Sequence, residues 1–222
     1  TTGEVLVWSP PPPQLTRHLA DDDGPLSGPE SRPRWWHVEG LHHVAALAAD
    51  GLACALHRDG RVSCWIGVGN SALGQGRDAP RTVVRGPDVT QIAAGRAHAC
   101  ALYEDATVHC WGDNTEGQLG RSLADPGTGI GQVEGLEGAV EIHARGDVTC
   151  ARTPDLRVWC WGPTERGVTD PGPREAPREV ADLPDVVRFE VDEKGVCGVR
   201  PDGMVTQDHL EQLLPTNQEE TR

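Results

Sequence analysis

Lysine is nearly missing from this chain of 222 residues: Lys194 stands alone against nineteen arginines. With 34 acidic and 20 basic residues the formal net charge is −14. The clustered cations needed to hold a phosphate backbone are absent, so no nucleic-acid partner is expected. Aromatic residues make up only 4%, with one Phe and one Tyr. No run of eighteen apolar residues occurs, so no helical membrane span and no membrane partner are expected. No secretory h-region is visible, but the chain starts at Thr1 rather than Met, so this decides nothing about a leader. Scarce Lys, Asn, Ile, Phe and Tyr beside abundant Arg, Ala, Gly and Pro is the pattern of a GC-rich coding sequence and points to a bacterium. There is no Walker loop, no G-x-S-x-G and no H-E-x-x-H, so neither an enzyme nor a cofactor is expected.

What the chain has instead is turns. The 27 glycines and 18 prolines favour short strands over long helices. The clearest stretch is Ile92 to Gly120, IAAGRAHACALYEDATVHCWGDNTEGQLG, with two β-runs around Asp105 and then a Gly/Asn-rich loop. Degraded copies of it recur. Cys54, Cys100, Cys150 and Cys197 are separated by 46, 50 and 47 residues, and Asp59, Asp105, Asp155 and Asp202 keep the same intervals. Val62, Val108, Val158 and Val205 follow three residues later; Trp65, Trp111 and Trp161 follow six later, where the fourth copy has Asp208. Upstream, Val38/Leu41, Val133/Leu136 and Val180/Leu183 precede a large apolar slot filled by Leu47, Ile142 and Phe189, with Ile92 in the second copy. So many positions in register establish a repeat.

The array is expected to span 1–208 in about four repeats, beginning in mid-repeat at Gly3–Trp8, with a polar tail at 209–222. The first copy carries a Pro-rich and acidic insertion at 9–34. Its proline run cannot sit inside a sheet, so it reads as an exposed loop, either solvated surface or a partner-binding segment. Trp35-Trp36-His37 reads as an outer strand covering its blade, or else as an exposed aromatic anchor. Residues 209–222 suit a short helical turn and a frayed end.

Six of the seven cysteines form pairs ten apart, Cys54/Cys64, Cys100/Cys110 and Cys150/Cys160, each centred on a turn aspartate. A symmetric hairpin places such residues opposite each other, where a cross-strand disulfide is sterically possible. The alternatives are buried reduced thiols or, least favoured, zinc, whose structural sites use closer Cys spacing. Gln207 stands where the fourth partner would be, leaving Cys197 single. The disulfide reading favours a secreted or periplasmic setting over the cytoplasm.

A repeat of this length with several short strands cannot cover both sheet faces alone; blades stacked around an axis can. The expected fold is all-β, with propeller-type blades of four short antiparallel strands. In its residues, 92–120 resembles the repeat of the regulator of chromosome condensation family: Ile92, Gly95, His98, Leu102, Trp111, Gly112, Asn114, Gly117, Gln118, Leu119 and Gly120 match the family pattern, and the paired cysteines resemble its bacterial members. The resemblance is fair over 41–76 and weak over 133–208. It implies a propeller whose ring, usually of seven blades, is incomplete here: a fragment, a four-blade or open array, or an assembly that self-association or another chain completes, with a fragment or oligomer favoured. It also implies work through protein contacts, since members of the fold include an exchange factor and a β-lactamase inhibitor.

The candidate chemistry is thin. His98 with Cys100 could form a catalytic pair, but the family pattern accounts for His98 structurally. His42 and His43 fall in an expected strand, where neighbours face opposite ways and joint metal binding is disfavoured. Asp113, Asn114 and Glu116 resemble oxygen ligands, yet Asn and Gly suit turns. No metal site is therefore expected. What remains is a surface: the turns after each inner strand, carrying Asp50, Leu52, Arg96, Arg145, Asp147, Glu193 and Lys194, differ between copies and are the candidate partner-binding residues. The leading expectation is a non-enzymatic protein-interaction module, an inhibitor or regulator of another bacterial protein. The alternatives are a structural or cell-surface, glycan-binding repeat domain, and a regulatory fragment of a larger enzyme.

Overall fold

The computed structural model describes residues 6–9, 34–66, 79–123, 129–163, 176–180, 183, 185–192 and 195–209. The inserted loop over 10–33 and the tail over 210–222 lie outside them, as do Glu193 and Lys194.

Seventeen strands account for the regular structure among the described residues. A first pair, β1 (Leu6–Ser9) and β2 (Arg34–His37), runs antiparallel with Trp8 opposite Trp35. The first blade follows as β3 (Val44–Ala49), β4 (Leu52–His57), β5 (Val62–Ile66) and β6 (Arg81–Val84). The second is β7 (Val89–Ala94), β8 (His98–Tyr103), β9 (Val108–Gly112) and β10 (Gly131–Gln132). The third is β11 (Glu141–Arg145), β12 (Val148–Arg152), β13 (Val158–Trp161) and β14 (Arg178–Glu179). The fourth has three strands, β15 (Arg188–Val191), β16 (Gly195–Val199) and β17 (Val205–His209). Each blade is a meander in which neighbours in sequence are neighbours in the sheet. His42 and His43 precede β3 rather than lying in a strand, and His43 takes a left-handed φ of 55°. His209 closes β17, so the array runs one residue past the expected boundary at 208.

The recurring aspartate makes each central hairpin turn. Asp59, Asp105 and Asp202 each accept the amide N–H two residues on, at 3.2, 3.0 and 3.0 Å. Asp155 instead accepts the Thr153 hydroxyl at 2.5 Å. An aspartate that bonds the backbone two residues ahead mimics a backbone turn, which suits it to this slot. The residue after it has left-handed φ in all four copies: Gly60 (78°), Ala106 (66°), Leu156 (65°) and Gly203 (81°).

Across these hairpins Cys54 pairs with Cys64, Cys100 with Cys110 and Cys150 with Cys160, directly opposite in register. All three form disulfides with Cα–Cα distances of 4.1 Å. Each closes a short loop, worth roughly 2–3 kcal/mol of stability. Cys197 lies opposite Gln207 and is free.

Blade stacks on blade through three apolar layers. The first joins Cys54, Leu56, Val62 and Val84 to Ile92, Ala94, Ala99, Ala101 and Trp111. The second joins Cys100, Leu102, Val108 and Cys110 to Ile142, Ala151 and Trp161. The third joins Cys150, Val158 and Val180 to Val186, Phe189 and Val196. In each, an inner strand lies against the two inner strands of the blade before it: β7 on β3 and β4, β11 on β7 and β8, β15 on β11 and β12. Small residues such as Ala93, Ala94 and Ala99 allow that approach.

Candidate functional site

Each inner strand ends in a turn before the next strand, and stacking brings three of these turns together. Asp50 takes the Gly146 N–H on Oδ2 at 2.7 Å. The Arg96 N–H donates to the Gly146 carbonyl at 2.6 Å, and the Gly51 and Leu52 amides donate to the Gly95 carbonyl at 3.2 and 3.0 Å. One blade's turn is thus hydrogen-bonded to the next, with Gly146 shared by the first and second. A methyl at Gly51 would press on the Arg96 backbone, so this approach requires glycine.

The side chains on this end carry both signs. Arg96 Nη1 lies 3.3 Å from Asp147 Oδ2, and Arg145 Nη1 lies 4.0 Å from Asp50 Oδ1. Arg96 is two-thirds exposed, so the pair is a solvated contact worth little to the fold. Burial raises the Asp147 carboxyl above its usual range; the Arg96 guanidinium opposes this, while Asp113, Glu116 and Asp50 add to it. Carboxylates and two exposed guanidinium groups, Arg96 and Arg145, are therefore interleaved on this end. Four of the residues singled out from sequence, Asp50, Arg96, Arg145 and Asp147, meet here. Leu52 sits just inside, half-buried at the start of β4 and packed on the first apolar layer. Asp192 closes the fourth turn by accepting the Gly195 N–H at 2.8 Å.

Beneath the turns His98 is fully buried, with Nε2 2.6 Å from Thr149 Oγ1 of the third blade. Burial drags its pKa down from 6.5 to about 4, with Asp113 and Asp50 opposing. Cys100 is held in its disulfide, so no thiol is available to pair with His98. The Asp113–Glu116 loop is a turn: Asp113 Oδ1 accepts the Thr115 N–H at 3.1 Å, and Asn114 Oδ1 accepts the Leu119 N–H at 3.1 Å while its amide donates to Ser122 O at 3.0 Å.

Sequence reasoning missed Arg121. It is buried, and its guanidinium donates to the carbonyls of Cys110, Gly131 and Gly129 at 2.8–2.9 Å, pinning the outer strand of its blade. The first copy has a related run, Gly74-Gln75-Gly76-Arg77, but the repeat alone does not show that such an arginine is buried. A second feature the sequence did not single out is a groove of about 520 Å³ at the blade's other end. Leu136, Pro154 and Trp159 line it, with Glu137 and Asp155 at its sides.

Stacked antiparallel blades that present their inner turns at one end define a propeller-type array, and the relatives agree. Residues 89–118 match the family profile of the regulator of chromosome condensation (RCC1) repeat. Human E3 ubiquitin-protein ligase HERC2 is 31% identical over 157 residues, covering 64% of this chain and 3% of the ligase. The mouse regulator of chromosome condensation is 37% identical over 99 residues, covering 44% of this chain and 23% of the regulator. Among solved structures, yeast RCC1 (Prp20), crystallised with Kap60, superposes with a TM-score of 0.63 at 20% identity, over 80% of this chain and 46% of that one. Human WBSCR16 superposes with a TM-score of 0.62 at 14% identity, over 85% and 52%. The chain carries regulator of chromosome condensation repeats. It spans under a quarter of the curated relatives it matches and about half of these propellers.

Proposed function

We propose that this domain binds another protein through the end where the inner-strand turns of three successive blades meet, and that it does so as a regulator or inhibitor rather than as an enzyme. The observation that carries this is the joining of three turns of unlike sequence into one hydrogen-bonded platform by Asp50, Gly95, Arg96 and Gly146. A rigid scaffold with variable turns at one end is the arrangement that binding surfaces use. The likeness to yeast Prp20, described with Kap60, Gsp1p and histones as binding partners, supports a protein as the ligand. So does the mixture of signs on the platform, where carboxylates surround Arg96: such a surface complements a protein face better than a phosphate backbone. The three disulfides support a secreted or periplasmic setting.

The test compares the native chain with an Arg96→Glu/Asp147→Lys variant, both immobilised and exposed to extract of the source cells. Arg96 is exposed and Asp147 partly buried, and the exchange keeps one charge of each sign, so thermal unfolding of the variant should change little. Proteins held by the native chain and lost by the variant support the reading. An identical set on both surfaces removes it.

A further inference from the structure

The same repeat slots are buried between blades and bare at the two ends of the stack. Ile92, Ile142 and Phe189 are 7%, 1% and 1% exposed, whereas Leu47 in the identical slot of β3 is 55% exposed. Val62, Val108 and Val158 are 0%, 2% and 0% exposed, whereas Val205 of β17 is 69% exposed, next to Met204 at 62%. The outer half of the first blade's open face is covered: Val38 and Leu41 close over Ala53, Ala55 and Trp65. The inner half, Leu47 and Ala49, is not. In the other blades that half is covered by the two inner strands of the blade before; in the sequence repeat, β1 matches the third strand of a blade.

The two bare faces are therefore the two halves of one interface that the chain already makes three times. The slot of Leu47 packs in every copy against the first cysteine of the preceding blade: Ile92 clusters with Cys54, Ile142 with Cys100 and Phe189 with Cys150. On the open side of the fourth blade that cysteine is Cys197, flanked by Val199 and Val205. We propose that the chain associates head to tail with a second copy of itself, the Cys197 face of one fourth blade packing on the Leu47 face of the other chain's first blade. The contact is heterologous; made twice, it closes a pair and leaves neither face exposed. Since β1 and β17 hold the same position in the repeat, the composite blade retains one of them, and the deciding contact is that of β15 and β16 with β3.

Sedimentation equilibrium across the micromolar range should give about twice the 23.8 kDa of one chain. Leu47→Asp, at an exposed site, should return it to the mass of one chain, with the urea midpoint that the native chain has at dilutions where it is single. Leu47→Cys should cross-link to the native Cys197 of the other copy under mild oxidation, giving a double-mass band on a non-reducing gel, and Cys197→Ser in that background should abolish the band. A single-chain mass throughout the range overturns the proposal, because the faces are then covered by something other than this chain. A cross-link that survives Cys197→Ser also overturns it, since the copies would then meet head to head.

Discussion

His98 illustrates how a residue can be plain in sequence and yet have its role set by packing. Its match to the family pattern implied a framework role, but only the structure shows that it spans two blades, reaching Thr149. Its Nδ1 is buried without a partner, so the neutral ring is tolerated and the imidazolium is not. The folded pKa, about 4, lies below the 6.5 of the free side chain. The contribution to stability is thus complete above pH 6.5 and is lost as pH falls from there toward 4. Between pH 7.5 and 5.0 this amounts to about 2 kcal/mol. Urea unfolding at those two pH values should show the native chain losing about that much more than His98→Gln, which starts less stable at pH 7.5 but responds less to acid. Equal losses would mean that His98 titrates normally. The turn residues were legible in a different degree. Gly60 and Gly203 announce their left-handed φ, whereas Ala106 and Leu156 hold the same conformation without announcing it; the aspartate before them and the strand register impose it.

At the scale of the element, the hairpins were almost wholly readable. The ten-residue cysteine spacing centred on an aspartate fixes which residues face each other, and the register confirms each pair. The outer strands were less so: β10 and β14 are two residues long, too short for any alternation of polar and apolar residues to show. The platform was legible as a set of variable turns, but its hydrogen bonds cross between blades, and Asp50 to Gly146 spans 96 positions, which no local pattern reports. The fourth hairpin makes the register testable. Cys197 faces Gln207 as the other first cysteines face their partners. Gln207→Cys should therefore form a fourth disulfide on oxidation, leave no thiol reactive toward maleimide in denaturant without reductant, and raise stability by roughly 2–3 kcal/mol over its reduced form. A variant retaining two reactive thiols would show that the fourth hairpin pairs differently from the other three.

Across the whole molecule, stability is the sum of three similar interfaces rather than the property of one core. Each apolar layer joins only adjacent blades, and in such a quasi-one-dimensional stack a lesion acts on its neighbours and fades beyond them. Phe189 is the largest fully buried side chain among the described residues and sits in the layer between the third and fourth blades. Truncating it to alanine removes a large part of what holds the fourth blade and should cost about 3–5 kcal/mol locally. Hydrogen exchange of Phe189→Ala should then show β15 and β16 losing protection, while β7 and β8, two interfaces away, keep theirs. The disulfide of the third blade marks the natural boundary, because Cys150 and Cys160 hold β12 to β13 whatever happens on the side facing Phe189. Uniform loss of protection from β3 to β17 would instead mean that the blades unfold as one cooperative body. The head-to-tail pair sharpens the contrast: closing the stack on a second copy gives the fourth blade a second neighbour, so the effect of Phe189→Ala on β16 should be smaller in the pair than in the Leu47→Asp background, where only one face of that blade is covered.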